Sequence, residues 1–223
     1  MNYKAIIFDM DGTIIDTEHI WKQATKELIT SRGIVYEPTP ECVLQKQIRG
    51  LALNESCSII KDMFNFQESV EALVLEKSTK AVSLYHEKVT FIDGFLEFHQ
   101  QVIKLNLKTG VATNADDATV AITNKTLNLE KFFGKHIYGI SNVNNKCKPD
   151  PAIYLYAAAQ LGIDPKDCIA IEDSAHGIAA AQAAGMLCLG INTSHNYDQV
   201  KRASLVVDRY VDIDLNYIIK RSN

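Results

Sequence analysis

The apolar positions of this chain follow two different periods. Across residues 17–89 they recur at helical spacing, as in Ile20, Ala24 and Leu28, in Val70, Leu73 and Val74, and in Leu84 and Tyr85. No run in that block reads as a strand. Elsewhere, short apolar runs alternate with helical stretches. Ala5-Ile6-Ile7-Phe8 reads as a buried strand, as do residues 108–112, 168–171, 187–191 and 205–208, with 137–140 as a strand or sheet edge. Helices are expected over 16–31 and 95–105, through Ala118, Ile122 and Leu127, from Lys148-Pro149-Asp150-Pro151 to about Leu161, and over 177–184, where Gly185 supplies a stop.

Strands separated by helices imply right-handed parallel crossovers, with helices on both sheet faces. The expected fold is therefore α/β, a Rossmann-like parallel sheet core formed by residues 1–16 and 90–223. Residues 17–89 are expected to form an inserted helical-bundle cap domain. In such sheets a ligand sits beyond the carboxyl ends of the strands. Three strands here end in polar residues, Asp9 and Asp11, Thr113 and Asn114, and Glu172 and Asp173, which would converge on one crevice.

Composition narrows this picture. The 223 residues are 47% hydrophobic, enough for a core and against disorder. The formal net charge of −4, with scattered basic residues, gives no general attraction to nucleic acid or an anionic membrane. The five cysteines are odd in number and lack C-x-x-C spacing, which argues against a disulfide framework or structural zinc. No signal peptide and no 18-residue apolar stretch is evident, so a cytoplasmic protein is expected.

Side chains alternate along a strand, so Asp9 and Asp11 start out pointing the same way, and Gly12 marks the turn that follows. Paired carboxylates repel unless a cation or proton lies between them. Asp-x-Asp-Gly strings also occur as ordinary turns and helix caps. An EF-hand frame would place Ile7 at the first ligand position, where it cannot bind Ca²⁺. Beside the turn or cap, the functional reading makes Asp9 a nucleophile toward phosphorus and Asp11 an acid/base two residues on. Thr113 and Asn114 could cap the following helix or bind phosphate oxygens at its N-terminus. Lys148, with Lys146 as competitor, could balance the negative charge. Glu172 and Asp173, one or both, could hold Mg²⁺ with Asp9 and the Asp11 carbonyl.

Taken together, Asp9-Met10-Asp11-Gly12-Thr13, Thr113, Lys148 and Glu172-Asp173 resemble the four motifs of the haloacid dehalogenase superfamily of phosphatases and phosphomutases. The resemblance implies Asp9 as nucleophile, Asp11 as acid/base and backbone metal ligand, Thr113 and Lys148 on the phosphate, and Asp173 as the surer Mg²⁺ ligand. A helical insertion after the first motif is similar to the small cap of the β-phosphoglucomutase-like subfamily. Asp16-Thr17-Glu18-His19-Ile20-Trp21 resembles the entry of bacterial sugar-phosphate phosphatases. By that likeness Glu18 would lie in a cap–core cleft, and Arg49-Gly50 would face substrate. Thr113-Asn114-Ala115, followed by Asp116-Asp117, departs from the Ser-Ala-Ser-type string of the mutase and is nearer to general phosphatases. The implied activity is Mg²⁺-dependent hydrolysis of a small phosphorylated metabolite, a sugar phosphate, by a monomer. A hexose-phosphate mutase and a non-enzymatic phosphate-accepting module are the alternatives.

Overall fold

A computed structural model describes residues 3–39, 42–48, 51 and 53–220. The chain divides into two compact units, Met1–Asp16 with Thr90–Asn223, and Thr17–Val89. In chain order the elements are β1 (Ala5–Phe8), β2 (Ile15–Asp16), α1 (Glu18–Thr30), α2 (Val43–Ile48), α3 (Leu53–Phe64), α4 (Val70–Lys88), β3 (Thr90–Phe91), α5 (Phe95–Lys104), β4 (Lys108–Ala112), α6 (Asp117–Leu127) and α7 (Glu130–Phe133). They continue with β5 (Ile137–Tyr138), α8 (Ala152–Leu161), β6 (Cys168–Glu172), α9 (Ala175–Ala183), β7 (Leu187–Ile191), α10 (Tyr197–Val200), β8 (Leu205–Val207) and α11 (Leu215–Lys220).

The first unit is built on a six-stranded sheet of order β5-β4-β1-β6-β7-β8, parallel throughout. The parallel α/β core read from the sequence is therefore present. The chain moves outward from β1 to β4 and β5, then returns to β1's other side for β6, β7 and β8. That reversal is a topological switch point, and it opens a crevice at the carboxyl ends of β1, β4 and β6.

Successive side chains of β1 face opposite sides. Ala5 and Ile7 join a core with Ile153, Tyr154 and Ala157 of α8 and Ile178 and Ala181 of α9. Phe8 meets the rings of Phe95 and Phe98 on α5 and Phe133 on α7. With both faces covered, all of β1 is buried. A strand so placed carries a continuous apolar run rather than alternation. Cys168 and Cys188 sit fully buried in β6 and β7 as small apolar side chains.

Some elements lie outside what the sequence pattern predicts. β2 and β3 pair antiparallel through Ile15↔Phe91 and Asp16↔Thr90, and two residues are too few to carry a period. α6 begins at Asp117 rather than directly after Asn114, because the Asp116 side chain accepts from Thr119 N–H at 2.8 Å and caps the helix there. α8 begins at Ala152, whose N–H is taken by Asp150 Oδ1 at 2.8 Å.

The second unit is helical in its regular elements. Its core gathers Leu28 and Ile29 of α1, Leu44 and Ile48 of α2, Cys57 and Ile60 of α3 and Leu73 of α4 around Tyr36 and Phe66. Ser69 caps α4 by accepting from Ala72 N–H, and Arg32 clamps Glu68 and Glu76 at 2.8 and 2.7 Å. Among the described residues no helix is long and apolar enough to cross a membrane.

His99 of α5 is 4% exposed among the rings of Phe8, Phe95, Phe132 and Phe133, at centroid distances of 6.3, 5.7, 5.7 and 5.1 Å. Its Nε2 is buried without a hydrogen-bond partner. Burial pushes this imidazole below its ordinary value of 6.5. The unfolded chain then binds a proton where the folded chain does not. Stability present above about pH 6.5 is lost as pH falls through the unfolded value toward the depressed folded one. His99→Leu, of similar volume, removes this component. The unfolding midpoint, followed by circular dichroism from about pH 7 to about pH 5, should fall less in the variant than in the parent protein. Equal slopes would contradict the buried neutral imidazole.

Candidate active site at the carboxyl ends of β1, β4 and β6

Register sets this site. Phe8 pairs with Val111 on one side and with Ile171 on the other, so Asp9, Ala112 and Glu172 lie one step further along in one row. Asp9 N–H donates to Ile171 O at 3.0 Å and Thr113 N–H to Tyr138 O at 3.0 Å, which extends the ladder past the strand ends. Beyond Asp9 the chain folds over itself in a tight turn. Ile14 and Ile15 both donate to Met10 O, Gly12 N–H donates to Ile15 O at 2.8 Å, and half-buried Asp11 pairs with Ile15 in an isolated bridge.

Lys148 enters from the segment that leads into α8. Its backbone N–H donates to Asn114 Oδ1 at 2.9 Å, which ties the β4 loop to the lysine. Its Nζ lies 2.5 Å from Asp9 Oδ1 and 2.6 Å from Glu172 Oε1. Lys146, the competing cation in the sequence, is exposed. The carboxylate of Glu172 is fully buried and accepts five hydrogen bonds. Oε1 takes Lys148 Nζ and the Tyr154 hydroxyl, and Oε2 takes Asp173 N–H, Ser174 N–H and the Ser174 hydroxyl.

Asp9, Glu172 and Asp173 each offer a carboxylate oxygen, and these lie within 4.8 Å of one another. Burial, with Glu172 and Asp11 nearby, pushes Asp9 up to about 8 against the downward pull of Lys148. Asp173 is held well above the usual carboxylate range by burial and then by Asp9 and Glu172. Burial opposes the charge of Lys148, but Asp9 and Glu172 outweigh it and hold the ammonium above its ordinary value. The cluster thus crowds three carboxyl groups, Asp9, Glu172 and Asp173, around one buried cation. A divalent cation with a preference for hard oxygen ligands fits that donor set.

Two backbone approaches define the space. Gly12 has φ +80°, and a Cβ there would lie 2.2 Å from Asp173 Oδ2. At Gly177, in the first turn of α9, a Cβ would fall 1.7 Å from Glu172 Oε1. Only glycine leaves room for the two carboxylates. Thr113 is buried, and its Oγ1 accepts from Ala115 N–H at 3.1 Å, so the hydroxyl proton remains available to an oxygen ligand. Neither Thr113 nor Asn114 caps α6, a role Asp116 takes.

The structure therefore brings Asp9, Lys148, Glu172 and Asp173 together directly, with Asp11 in the adjoining turn and Thr113 and Asn114 on the β4 loop. Glu18 opens α1 in the other unit, where Lys22 Nζ pairs with it at 2.7 Å. Arg49 lies outside the described residues. Sequence reading misses several supports of the site. Tyr154 donates to Glu172, Ser174 both caps α9 and bonds Glu172, Thr193 Oγ1 donates to Gly12 O at 2.6 Å, and Tyr210 donates to Thr13 O at 2.9 Å. Ser174 alone carried a signal, as a cap residue between a strand and a helix.

The profile of the haloacid dehalogenase-like hydrolases matches residues 6–191. A phosphorylated carbohydrates phosphatase of Thermotoga maritima is 28% identical over 183 residues, covering 82% of each chain. Among solved structures, a haloacid dehalogenase-like protein of unknown function from Agrobacterium tumefaciens superposes with a TM-score of 0.80 at 26% identity, over 97% of both chains. The β-phosphoglucomutase of Clostridium difficile superposes with a TM-score of 0.72 at 29% identity, over 97% of this chain and 95% of that one. With the profile spanning most of the sequence and the strand-end acids in place, the chain belongs to the haloacid dehalogenase-like hydrolase family.

Proposed function

We propose that the protein is a Mg²⁺-dependent phosphatase for a small phosphomonoester, a sugar phosphate, working through a phosphorylated Asp9. The observation that carries this reading is the placement of Asp9. It is a buried carboxylate at a strand end, held by Lys148 on one oxygen and grouped with Glu172 and Asp173. The names of relatives that act on phosphorylated carbohydrates support the substrate class.

In this reading Asp9 attacks phosphorus and the bond to the leaving alkoxide breaks, with Asp11 donating the proton that the alkoxide takes up. Asp11 then accepts a proton from water, which attacks the same phosphorus and releases Asp9. Lys148 and the Thr113 hydroxyl stabilise the charge on the phosphoryl oxygens. Asn114 holds the Lys148 backbone, so its assigned part is positioning as well as substrate binding. Asp9, Asp173 and the Asp11 carbonyl are the residues assigned to hold Mg²⁺, with Glu172 behind them as a donor already engaged by five hydrogen bonds. Bound there, Mg²⁺ would offset the carboxylate charge and polarise the phosphoryl group.

The unit Thr17–Val89 is assigned the role of a cap that excludes water and selects substrate. Supporting this is its own hydrophobic core and its insertion where β2 and β3 run side by side. The assignment of Glu18 and Arg49 to substrate belongs to the same reading. The acids after Thr113 favour hydrolysis over mutase chemistry. Asp116 caps α6 and Asp117 accepts from the Ser141 hydroxyl, so neither position offers a cation for a second phosphate.

A panel of phosphomonoesters should release inorganic phosphate with Mg²⁺ and lose that activity in EDTA, with full recovery on adding the metal back. Asp9→Asn should keep the fold and abolish turnover, and residual hydrolysis by the folded variant would sink the nucleophile assignment. Gly12→Ala should lower turnover by on the order of 100-fold, because the new Cβ occupies the place of Asp173 Oδ2. β-Glucose 1-phosphate with a bisphosphate primer should yield free phosphate; glucose 6-phosphate as the product would favour the mutase.

A further inference from the structure

Tyr154 is fully buried, and its hydroxyl donates to Glu172 Oε1 at 2.9 Å. The same oxygen receives Lys148 Nζ at 2.6 Å, and that Nζ lies 4.9 Å from the centroid of the Tyr154 ring. The lysine is therefore bounded by Asp9, by Glu172 and by the ring of Tyr154. The phenol comes from the first turn of α8, the helix that directly follows the segment carrying Lys148. A phenylalanine would fill the same space. A buried hydroxyl costs desolvation unless it is bonded, so the oxygen's contribution lies in the bond it makes.

We propose that Tyr154 is a positioning residue for phosphoryl transfer at Asp9, acting through Glu172 on Lys148. This rests on the phosphatase reading above. A carboxylate oxygen shared between two donors holds each less tightly than it would hold one alone. With the phenol in place, Glu172 anchors Lys148 without drawing its ammonium away from Asp9 and the incoming phosphoryl group. Without the phenol, Lys148 becomes the only side chain on Oε1, and the ammonium shifts toward Glu172. Charge on the phosphoryl oxygens then develops in the transition state against a misplaced cation. The effect falls on kcat more than on KM.

The test uses the full-length protein with Mg²⁺ and the best phosphomonoester from the panel. Wild type, Tyr154→Phe, Glu172→Gln and the double variant are compared by steady-state kinetics and thermal unfolding. Tyr154→Phe should lower kcat by about tenfold, the scale of one hydrogen bond to a charged group, with KM little changed. In the Glu172→Gln background the same substitution should cost nothing further. Wild-type kcat in Tyr154→Phe, or an equal loss in both backgrounds, overturns the proposal. Should Glu172→Gln fail to fold or fold without measurable turnover, the single-turnover rate of Asp9 phosphorylation decides. A rate about tenfold lower in Tyr154→Phe supports the positioning role, and an unchanged rate overturns it. Wild-type protein that hydrolyses no phosphomonoester overturns the phosphatase reading itself, an outcome distinct from an active wild type whose activity ignores Tyr154.

Discussion

Lys148 Nζ lies within 2.6 Å of carboxylate oxygens from two different strand ends, Asp9 after β1 and Glu172 at the end of β6. Ions taken out of water at this depth carry a large desolvation penalty, which only close pairing and full hydrogen bonding offset. The site meets that requirement from several directions. Backbone N–H groups of Asp173 and Ser174 and the hydroxyls of Ser174 and Tyr154 surround Glu172, while Asn114 fixes the backbone of the lysine. Removing the ammonium would leave two buried carboxylates facing each other. Much of the surrounding structure keeps that from happening.

The same constraint accounts for features that look unrelated along the chain. The parallel register places Asp9 and Glu172 in one row, so their separation is set by the sheet rather than by flexible side chains. Gly12 and Gly177 leave space for carboxylates where any Cβ would collide with them. β1 is wholly apolar because helices cover both its faces, which gives Asp9 a rigid base. A side chain held on a strand end keeps its geometry better than one carried by a mobile loop. The raised proton affinities of Asp9 and Asp173 come first from burial and then from the neighbouring carboxylates, and they describe a site with room for a further positive charge.

Much of this was legible in the sequence because strand ends carry a local signal. Apolar runs ending in Asp9, Thr113 and Glu172 marked both the sheet and the crevice, and their chain order matched the motifs of the family. Helix starts were less legible. Asp116 moves the beginning of α6 by side-chain capping, which hydrophobic periodicity does not report. The pair β2–β3 was too short to show a period. Tyr154, Thr193 and Tyr210 were missed for a different reason. Each reaches the site across the fold from an apolar or loop segment, and nothing local separates a buried tyrosine that bonds a carboxylate from one that only fills space. Its position next to Pro149 favoured Lys148 over Lys146 in the sequence, and burial separates the two in the structure.

The proposed phosphatase chemistry requires a covalent phosphoryl group on Asp9. The most direct measurement is rapid acid quench during turnover of a phosphomonoester with Mg²⁺, followed by peptide mass spectrometry. A phosphoryl mass increment is expected on the peptide containing Asp9, localised to that residue and absent from the Asp9→Asn protein. Sustained turnover with no phosphorylated peptide at any quench time, or with the phosphoryl group on another residue, would contradict it.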